Sequence, residues 1–477
     1  TAITSVNGVY RSMWTAGWST TANTHQCFGI AAYNLALDCM ADDLIMQSQG
    51  NGWFWGDHCY NVKSNYTSSA FRSYDVWYAN YKWIANVNYI IDAEPEMAGT
   101  EADVAYVAGQ AYAIRALCYL NLATWFSRAP YNSLTGASRW NEPCVPVYTT
   151  GTSIDTGGQP RESLRTVYGR IDQDIDRAIE LLEKARETTL AENNKSHINL
   201  YVALGIKSRA CLAEGDWDGA FKAAKRVIDE GGYAVGTKSD LTGGMNSLDK
   251  QNVMWGAGIQ VADQAGGYAG FFTHMDNKEG AYAKSAPKLI SKQLYNRISA
   301  TDIRRDWWDP SDKESPYVSK KFSFANVASF LGDYIYMRVE EMYFTAAEAA
   351  LRLDDLKSAR ELMNTVMAER DPGYSANNRS GTLLGATTTT WTGSFLENIL
   401  THRRIELWGE YGRLFDVRRL GQGIDRRTDD GFSEECISMM NRRNVNITKA
   451  DTYDWVLTIP KAELDANPNI NEEDQNP

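Results

Sequence analysis

The stretch from residue 334 to residue 372 constrains the fold most strongly, because its sequence has the pattern of two helices joined by a tight turn. Small and apolar side chains recur at helical spacing on both sides of the turn: Met342, Thr345, Ala346, Ala349 and Leu353 before it, and Leu356, Ala359, Leu362, Met363 and Val366 after it. Asp354 and Asp355 belong to the polar break, and Pro372 ends the second helix because proline has no backbone N–H to donate. The small side chains predict that two helix backbones lie in close contact.

The same pattern occurs earlier in the chain, between residues 208 and 228. At one constant offset, Ala210 corresponds to Ala349 and Ala220 to Ala359. A helix, a short acidic turn and a second helix with small residues are typical of tetratricopeptide (TPR) repeats, whose unit is about 34 residues. One such hairpin cannot bury its apolar face alone, so neighbours must stack on it. Two unrelated hairpins are the alternative. The shared register favours repetition and predicts a mostly α fold with a TPR-like helical-repeat scaffold, an α-α superhelix.

Composition and missing motifs argue against several classes of function. The chain has 477 residues and a net charge of -12, whereas nucleic-acid binders usually carry a basic face. No stretch approaches the roughly 20 apolar residues of a membrane span. The seven cysteines and five histidines show no metal-ligand spacing, so we expect neither a metal nor a cofactor. The signatures GxSxG, GxxxxGK(S/T) and GxGxxG are absent, and we assign no catalytic residue.

The pattern of long and short apolar segments divides a single domain, residues 1–477, into four parts. Periodic segments predict a helical scaffold over residues 25–230 and 334–420, with helices near 25–46, 70–92, 100–126, 163–186 and 394–420. Glycine pairs and scattered aromatics predict a loop-rich, irregular inserted subdomain over residues 231–333, with a strand near 252–255 and a helix near 286–297. Residues 421–477 are expected to be irregular.

The predicted last helix carries the densest charge in the chain. Three acid–base pairs lie three residues apart and would meet on one helical face: Arg403 with Glu406, Glu410 with Arg413, and Asp416 with Arg419. Basic residues alone would indicate an anion site. Because acids accompany them, we interpret the helix as an ion-pair clasp that holds it on the repeats.

The glycine-rich stretch 47–66 is predicted to be a loop and contains the first candidate ligand site. The flat indole faces of Trp53 and Trp55 suit the apolar faces of sugar rings, and alternate residues of such a loop cannot all lie in the core. Three polar residues nearby can bond to sugar hydroxyls: Asn51, Asp57 and His58. The alternative is that one or two of the aromatics anchor the loop. We expect at least one to be exposed.

A second aromatic stretch lies in the insertion and has the same combination of rings and glycines. We expect Tyr268, Phe271, Phe272 and, further on, Tyr282 to contact a ligand together with Trp53 and Trp55. Recognition concentrates in loops that a rigid scaffold positions, which is why two distant stretches are expected to meet at one site.

Five stretches of the chain resemble the SusD/RagB family of outer-membrane nutrient-binding lipoproteins, and together they span nearly the whole chain. They are Arg115–Tyr119 in a helix, the Gly215-Asp216-Trp217 turn, Arg338–Glu348, Arg403–Arg418, and Ile459-Pro460 with Asn467-Pro468. His402 departs from the family pattern, since an acid is usual there.

The resemblance implies a TPR scaffold that carries an irregular, glycan-contacting subdomain. It implies a non-catalytic protein that binds oligosaccharide or polysaccharide and delivers it to a SusC-like TonB-dependent transporter. It also implies a place on the extracellular face of the outer membrane, through an N-terminal lipid anchor that this chain lacks, so we expect a cysteine shortly before Thr1 of the precursor.

Three other functions remain open at this stage. A protein of the same fold could bind a peptide or glycoprotein. Paired carboxylates such as Glu340 and Glu341 could indicate a glycan-cleaving enzyme, but adjacent residues on a helix point apart, whereas hydrolysis needs two carboxyls at a fixed gap. A cytosolic TPR adaptor for peptide tails would need a basic groove, which this acidic sequence does not indicate.

Overall fold

The structure, a computed structural model, describes residues 1–19, 23–61, 65–191, 193–260 and 269–477. Its helices are α1 Ala2–Ser12, α2 Ile30–Met40, α3 Trp55–His58, α4 Phe71–Asp92, α5 Glu101–Phe126, α6 Leu164–Lys184, α7 Leu200–Glu214, α8 Trp217–Glu230, α9 Lys238–Thr242, α10 Phe271–Met275, α11 Ala281–Ser285, α12 Lys292–Tyr295, α13 Val339–Arg352, α14 Leu356–Ala368, α15 Phe395–Glu406, α16 Arg413–Leu420, α17 Glu434–Arg442 and α18 Lys461–Ala466. Its strands are β1 Leu44–Met46, β2 Val253–Ala257, β3 Lys288–Ile290, β4 Trp308–Asp309, β5 Val318–Ser319 and β6 Tyr334–Arg338. The predicted mostly α fold is confirmed.

The two predicted hairpins are α7–α8 and α13–α14, and they pack against each other. The second helix of each begins at an aspartate. The Asp216 and Asp355 carboxylates each accept a hydrogen bond from the backbone N–H three residues later, a donor that the first turn leaves unpaired. Ala220, Ala349 and Cys211 form one buried cluster between the hairpins. The small residues that suggested repetition therefore lie where the helices cross.

These hairpins belong to a longer stack, in which each helix contacts the next in the order α4, α5, α6, α7, α8, α13 and α14. The α5–α6 crossing is tight, because a side chain on Gly109 would place its Cβ 2.8 Å from Leu182. Across the same crossing, Arg115 donates to both carboxylate oxygens of Asp174 at 2.7 Å. No helix in the described ranges is long and apolar enough to cross a membrane.

Short strands join the N-terminal stretch to the insertion, which the sequence did not predict. Strand β1 pairs antiparallel with β3, with Leu44 opposite Ile290. The helix expected over 25–46 is wrong at both ends, since α2 covers only Ile30–Met40, and β3 replaces the first part of the helix expected over 286–297. Each strand is a buried run of three residues, too short for periodicity to distinguish from helix.

The second sheet joins the insertion to the repeats. The strand expected near 252–255 is present as β2 and pairs antiparallel with β6. Residues 334–338, which the sequence assigned to the start of a helix, form β6, and α13 begins directly after it. The insertion is thus attached to the scaffold at the first residues of the hairpin that identified the fold.

The helix expected over 394–420 is two helices, α15 and α16, separated by a turn. Gly409 and Gly412 have φ angles of +76° and +87°, which glycine adopts without steric cost. The break changes the ion pairs. The Asp416–Arg419 pair is confirmed at 2.8 Å, but Arg403 pairs with Asp416 at 2.7 Å rather than with the acid expected from its spacing. Residues 421–477, expected to be irregular, include α17 and α18.

Two aspartates between α2 and β1 hold the two ends of the chain together. Arg404 of α15 donates to the Asp43 carboxylate at 2.6 and 2.9 Å, and Arg413 of α16 donates to Asp42 at 3.0 Å. All four side chains are buried. Burial alone would raise the pKa of Asp42, but the charges of Arg413 and Arg404 lower it to about 2.

Glu406, the last residue of α15, accepts hydrogen bonds from three arginines in separate parts of the chain. The donors are Arg370 Nε at 2.8 Å, Arg338 Nη1 at 3.0 Å and Arg304 Nη1 at 3.1 Å. None of the four side chains is more than 1% exposed. Burial alone would raise the pKa of Glu406, but Arg370, Arg338 and Arg304 hold it well below the usual value. This network performs the clasping role predicted for the last helix, with different partners.

We predict that Glu406→Gln lowers the free energy of unfolding at pH 7 by about 3–5 kcal/mol, because it leaves three buried arginines without their shared charge. Because the pKa of Glu406 is depressed in the folded protein, its charge stabilises the fold fully at pH values above about 4.3, the pKa of Glu in an unfolded chain. This stabilisation is lost as the pH falls through the folded-state pKa. The difference between the variant and the parent should therefore narrow in acid. Urea unfolding at pH 7 and at acidic pH measures both effects.

The matched control is Glu361→Gln on α14, where the carboxylate is 66% exposed and its nearest cation, Lys357, lies 3.8 Å away. Such a surface pair contributes little, and we expect a change within about 0.5 kcal/mol. Equal effects of the two substitutions would show that the buried network does not hold the fold together.

Candidate functional site

Three rings from separate stretches meet at the surface where the insertion contacts the N-terminal region. Trp53 stacks on His25, with ring centroids 4.7 Å apart and planes at 15°. Tyr282, in α11, places its hydroxyl oxygen 2.5 Å from His25 Nδ1 and its ring edge-on to Trp53, with centroids 6.1 Å apart. We call these three residues the aromatic cluster. Trp53 and Tyr282 are both partly exposed.

The predicted meeting of two distant stretches therefore occurs, but through a residue that the sequence analysis did not select. His25 was considered only as a metal ligand, and no spacing pattern connects it to Trp53 or Tyr282. Its role depends on tertiary contact alone. The backbone around it is fixed by the insertion, since His274 Nε2 lies 2.6 Å from the His25 carbonyl oxygen.

A left-handed turn in the backbone determines which aromatic of the 53–55 run faces outward. Phe54 has a φ angle of +61° and its N–H donates to the Gln26 side chain at 2.8 Å. The Phe54 ring is buried edge-on against His274, with centroids 4.9 Å apart. Trp55 begins α3 and is only 4% exposed. Of the three aromatics, Trp53 alone keeps part of its ring at the surface.

Trp55, Asp57 and His58 were expected to contact ligand, and the structure buries all three. The reason is that the expected loop contains a helical turn, α3, whose side chains enter the core. Asp57 accepts hydrogen bonds from Arg72 at 3.0 and 3.1 Å, with both side chains fully buried. His58 Nδ1 lies 3.0 Å from the Cys39 carbonyl oxygen, and its ring stacks on Phe432. These residues are structural.

Phe271 and Phe272 were also expected at the ligand surface and are likewise buried. They form α10 with the residues around them, and their rings pack edge-on against each other, with centroids 5.2 Å apart. Phe271 packs further on Phe322, and Phe272 on Phe324. The glycines before them suggested a flexible loop, whereas the rings supply the core of the insertion. Tyr268 lies outside the described residues, so its predicted role stays a prediction.

The charges near the aromatic cluster are neutralised or held in the neutral form. The Asp57–Arg72 pair cancels its own charge, and burial together with the nearby Lys288 charge lowers the pKa of His274 well below its usual value. Asn51 is exposed and adds an amide beside Trp53 in the sequence. Within the described ranges no group of three His, Cys, Asp or Glu side chains is arranged to hold a metal ion. The buried Asp57–Arg72 pair therefore adds no net charge near the cluster.

Two family models match the chain. The model described as "SusD family" covers residues 281–477, and the model described as "Starch-binding associating with outer membrane" covers residues 24–212. A comparison with curated protein sequences gave no match.

Solved structures match over the whole length. A SusD-like carbohydrate binding protein from Bacteroides vulgatus is 25% identical, with a TM-score of 0.79 over 99% of this chain and 97% of that chain. A laminarin binding SusD-like protein is 17% identical, with a TM-score of 0.68 over 100% and 98%. Surface glycan-binding protein A from Bacteroides thetaiotaomicron, in complex with laminarihexaose, is 16% identical, with a TM-score of 0.65 over 98% and 97%.

We predict that the two tryptophans of the run differ sharply when truncated. Trp55→Ala empties a buried site and should lower the free energy of unfolding by about 3–5 kcal/mol. Trp53→Ala removes a partly exposed ring and one stacking contact, and should lower it by about 1 kcal/mol. Urea unfolding of both variants tests the assignment. Equal losses would mean that Trp53 is as much a core residue as Trp55.

Proposed function

Because the chain belongs to the SusD/RagB family, we propose that it is a non-catalytic cell-surface protein that binds an oligosaccharide or polysaccharide and delivers it to a SusC-like TonB-dependent transporter. The starch-binding description of one family model and the SusD-like carbohydrate binding protein at 25% identity support carbohydrate as the ligand. The laminarin binding protein and surface glycan-binding protein A, both below 25% identity, support the fold alone. The residues of this chain supply the remaining support for a carbohydrate ligand.

The observation that carries the proposal is the aromatic cluster. A pyranose ring has an apolar face of C–H groups, which a partly exposed indole such as Trp53 can cover. Tryptophan and tyrosine have few rotatable bonds, so they lose little conformational entropy when a ring stacks on them. The Trp53 indole N–H is enclosed and has no hydrogen-bond partner among the described residues, so a sugar would meet the ring of Trp53 and not its N–H.

We assign Trp53 as the stacking platform and Tyr282 as the second ring beside it. Asn51 is exposed close to Trp53 in the chain and supplies an amide that can both donate to and accept from sugar hydroxyls. Tyr268 remains a candidate ligand contact. The buried residues Trp55, Asp57, His58, Phe271 and Phe272 are not among the proposed ligand contacts.

The state of Asp57, the acid that follows Trp53 most closely in the chain, favours binding without cleavage over glycoside hydrolysis by that residue. Asp57 is the carboxylate closest to Trp53 in sequence, and it is fully buried and bonded to Arg72 through both oxygens. A glycosidase needs one carboxyl to donate a proton and another to act from the opposite face of the sugar. A buried, doubly bonded carboxylate suits neither role.

Affinity electrophoresis through gels containing starch, laminarin or other soluble neutral polysaccharides should show retarded migration on at least one of them. Trp53→Ala should weaken that binding about five- to thirtyfold, because a lost stacking contact of about 1–2 kcal/mol corresponds to this change. Trp391→Ala, at another partly exposed tryptophan outside the cluster, is the matched control and should bind normally. Affinity in Trp53→Ala equal to that of wild type would remove the cluster from the site.

The same gels separate the rival functions. Glycan recovered after incubation should keep its length, whereas shortened products would indicate an enzyme. If no polysaccharide retards the protein while a peptide or deglycosylated glycoprotein does, the protein binds protein ligands and the carbohydrate proposal fails.

The proposed location is the extracellular face of the outer membrane, through an N-terminal lipid anchor. The family description as outer-membrane associated supports the membrane, and the anchor and the transporter partner follow from the family resemblance. We predict a lipid-modified cysteine shortly before Thr1 in the precursor and co-purification with a TonB-dependent transporter after mild detergent extraction. A precursor without that cysteine, recovered in the soluble fraction, would contradict the anchor.

A further inference from the structure

A second aromatic surface lies on the repeat scaffold, apart from the residues of the aromatic cluster. A cavity of about 350 Å³ opens between α4, residues 148–158 and α18, and its walls include four aromatic rings: Trp77, Tyr78, Tyr81 and Tyr148. We call this cavity the α4 groove. Its volume is near the lower end of the roughly 300–1,000 Å³ of small-molecule sites. It can therefore hold a small molecule or a short part of a polymer.

Three of the four rings that line the α4 groove pack against one another. Trp77 and Tyr81 lie with centroids 4.9 Å apart, and Tyr148 meets Tyr81 edge-on at 5.8 Å. Tyr81 is fixed because its hydroxyl donates to the Pro146 carbonyl at 2.7 Å. Tyr78 is only partly buried and stacks on Tyr74, one turn earlier, with centroids 5.5 Å apart. Tyr78 is thus a supported ring at the edge of an aromatic floor.

The opposite wall is also held in place before any ligand arrives. Asn88 of α4 donates from its amide to the carbonyl oxygens of Tyr148 and Thr150 at 3.2 and 3.0 Å. Asp92, at the end of the same helix, accepts a hydrogen bond from the Gly151 N–H at 2.7 Å. Because these bonds fix the wall on α4, a ligand would order little chain on binding.

Polar groups of balanced charge surround the rings. Lys82 and Glu463 are the charged residues that line the α4 groove, and their charges cancel. The Ser153 and Thr156 side-chain oxygens accept hydrogen bonds from backbone N–H groups, which leaves both hydroxyl protons to be donated elsewhere. An aromatic floor with a neutral, hydrogen-bonding rim matches a sugar, whose ring is apolar on its face and polar around its edge.

We propose that the α4 groove is a second carbohydrate-binding site, which stacks a neutral sugar residue on Tyr78 and the adjoining rings and bonds its hydroxyls through Lys82, Glu463 and the 153–156 turn. The proposal rests on the proposed function, since it takes the same class of ligand. Two sites on one chain would let a single polysaccharide bind at both, so its dissociation would slow without a stronger contact at either site.

The test compares wild type, Trp53→Ala, Tyr78→Ala and the double variant in titrations with soluble starch and laminarin, choosing the glycan that binds better. Tyr78 is partly buried on the helix surface, and Tyr78→Phe keeps the ring as the matched control. We expect Trp53→Ala to retain measurable binding, Tyr78→Ala to lower the apparent affinity severalfold, and the double variant to lose binding by a further tenfold or so. Tyr78→Phe should bind within about twofold of wild type.

Hydrogen exchange provides a readout at the groove itself. The glycan should slow exchange of peptides covering residues 71–92 and 148–158 in Trp53→Ala, and not in Tyr78→Ala. If Trp53→Ala abolishes all binding and these peptides show no protection in wild type, the α4 groove is not a site while the proposed function stands. If Tyr78→Ala abolishes binding and Trp53→Ala does not, the groove is the main site and the aromatic cluster loses its role. If neither these two glycans nor any other neutral polysaccharide binds wild type, both proposals are overturned.

Discussion

The buried charge network around Glu406 is the constraint on which the rest of the structure depends. Four cationic and four anionic side chains are joined in it: Arg304, Lys321, Arg338 and Arg370 with Asp302, Glu340, Glu406 and Glu410. Removing one ion from water costs several kcal/mol, so such a group is tolerable only when its partners are complete and well placed. His402 fits this requirement. Burial and the adjacent Arg304 charge lower its pKa well below the usual value, so the neutral ring can accept from Arg304 at 2.8 Å.

The network also explains why a loop-rich insertion can carry a defined surface. Arg304 and Lys321 belong to residues 231–333, while Glu406 and Glu410 belong to the region after the last repeat. The insertion is therefore held to the helices by charge, and to the N-terminal stretch by the β1–β3 pairing. Phe271 and Phe272 fill its interior. Tyr282 meets Trp53 because these attachments together hold the insertion against the N-terminal stretch. None of the attachments includes a residue of the aromatic cluster.

The sequence predicted the features that depend on local pattern. It did not predict the features that depend on tertiary contacts. The small residues of the α13–α14 hairpin could be read because helix crossings require them at fixed spacing. The burial of the Trp53–Trp55 run could not be predicted from the sequence, because the left-handed backbone of Phe54 and one helical turn determine which indole faces inward. The Arg403–Glu406 spacing suggested a local ion pair, but Glu406 accepts hydrogen bonds from arginines that are far away in sequence. The α4 groove gave no signal, because Tyr78 and Tyr148 are 70 residues apart and each fits an ordinary amphipathic or loop segment.

The contacts of Asp42 and Asp43 have a consequence for how the protein is made. Their partners, Arg404 and Arg413, lie more than 360 positions later in the chain. During synthesis, these two aspartates lack their partners until residues 404 and 413 have been made, and the helical repeats are made before that point. A nascent chain that stops before Arg404 therefore holds two carboxylates whose arginine partners have not yet been made, and the contacts that join the two ends of the chain can form only late in synthesis.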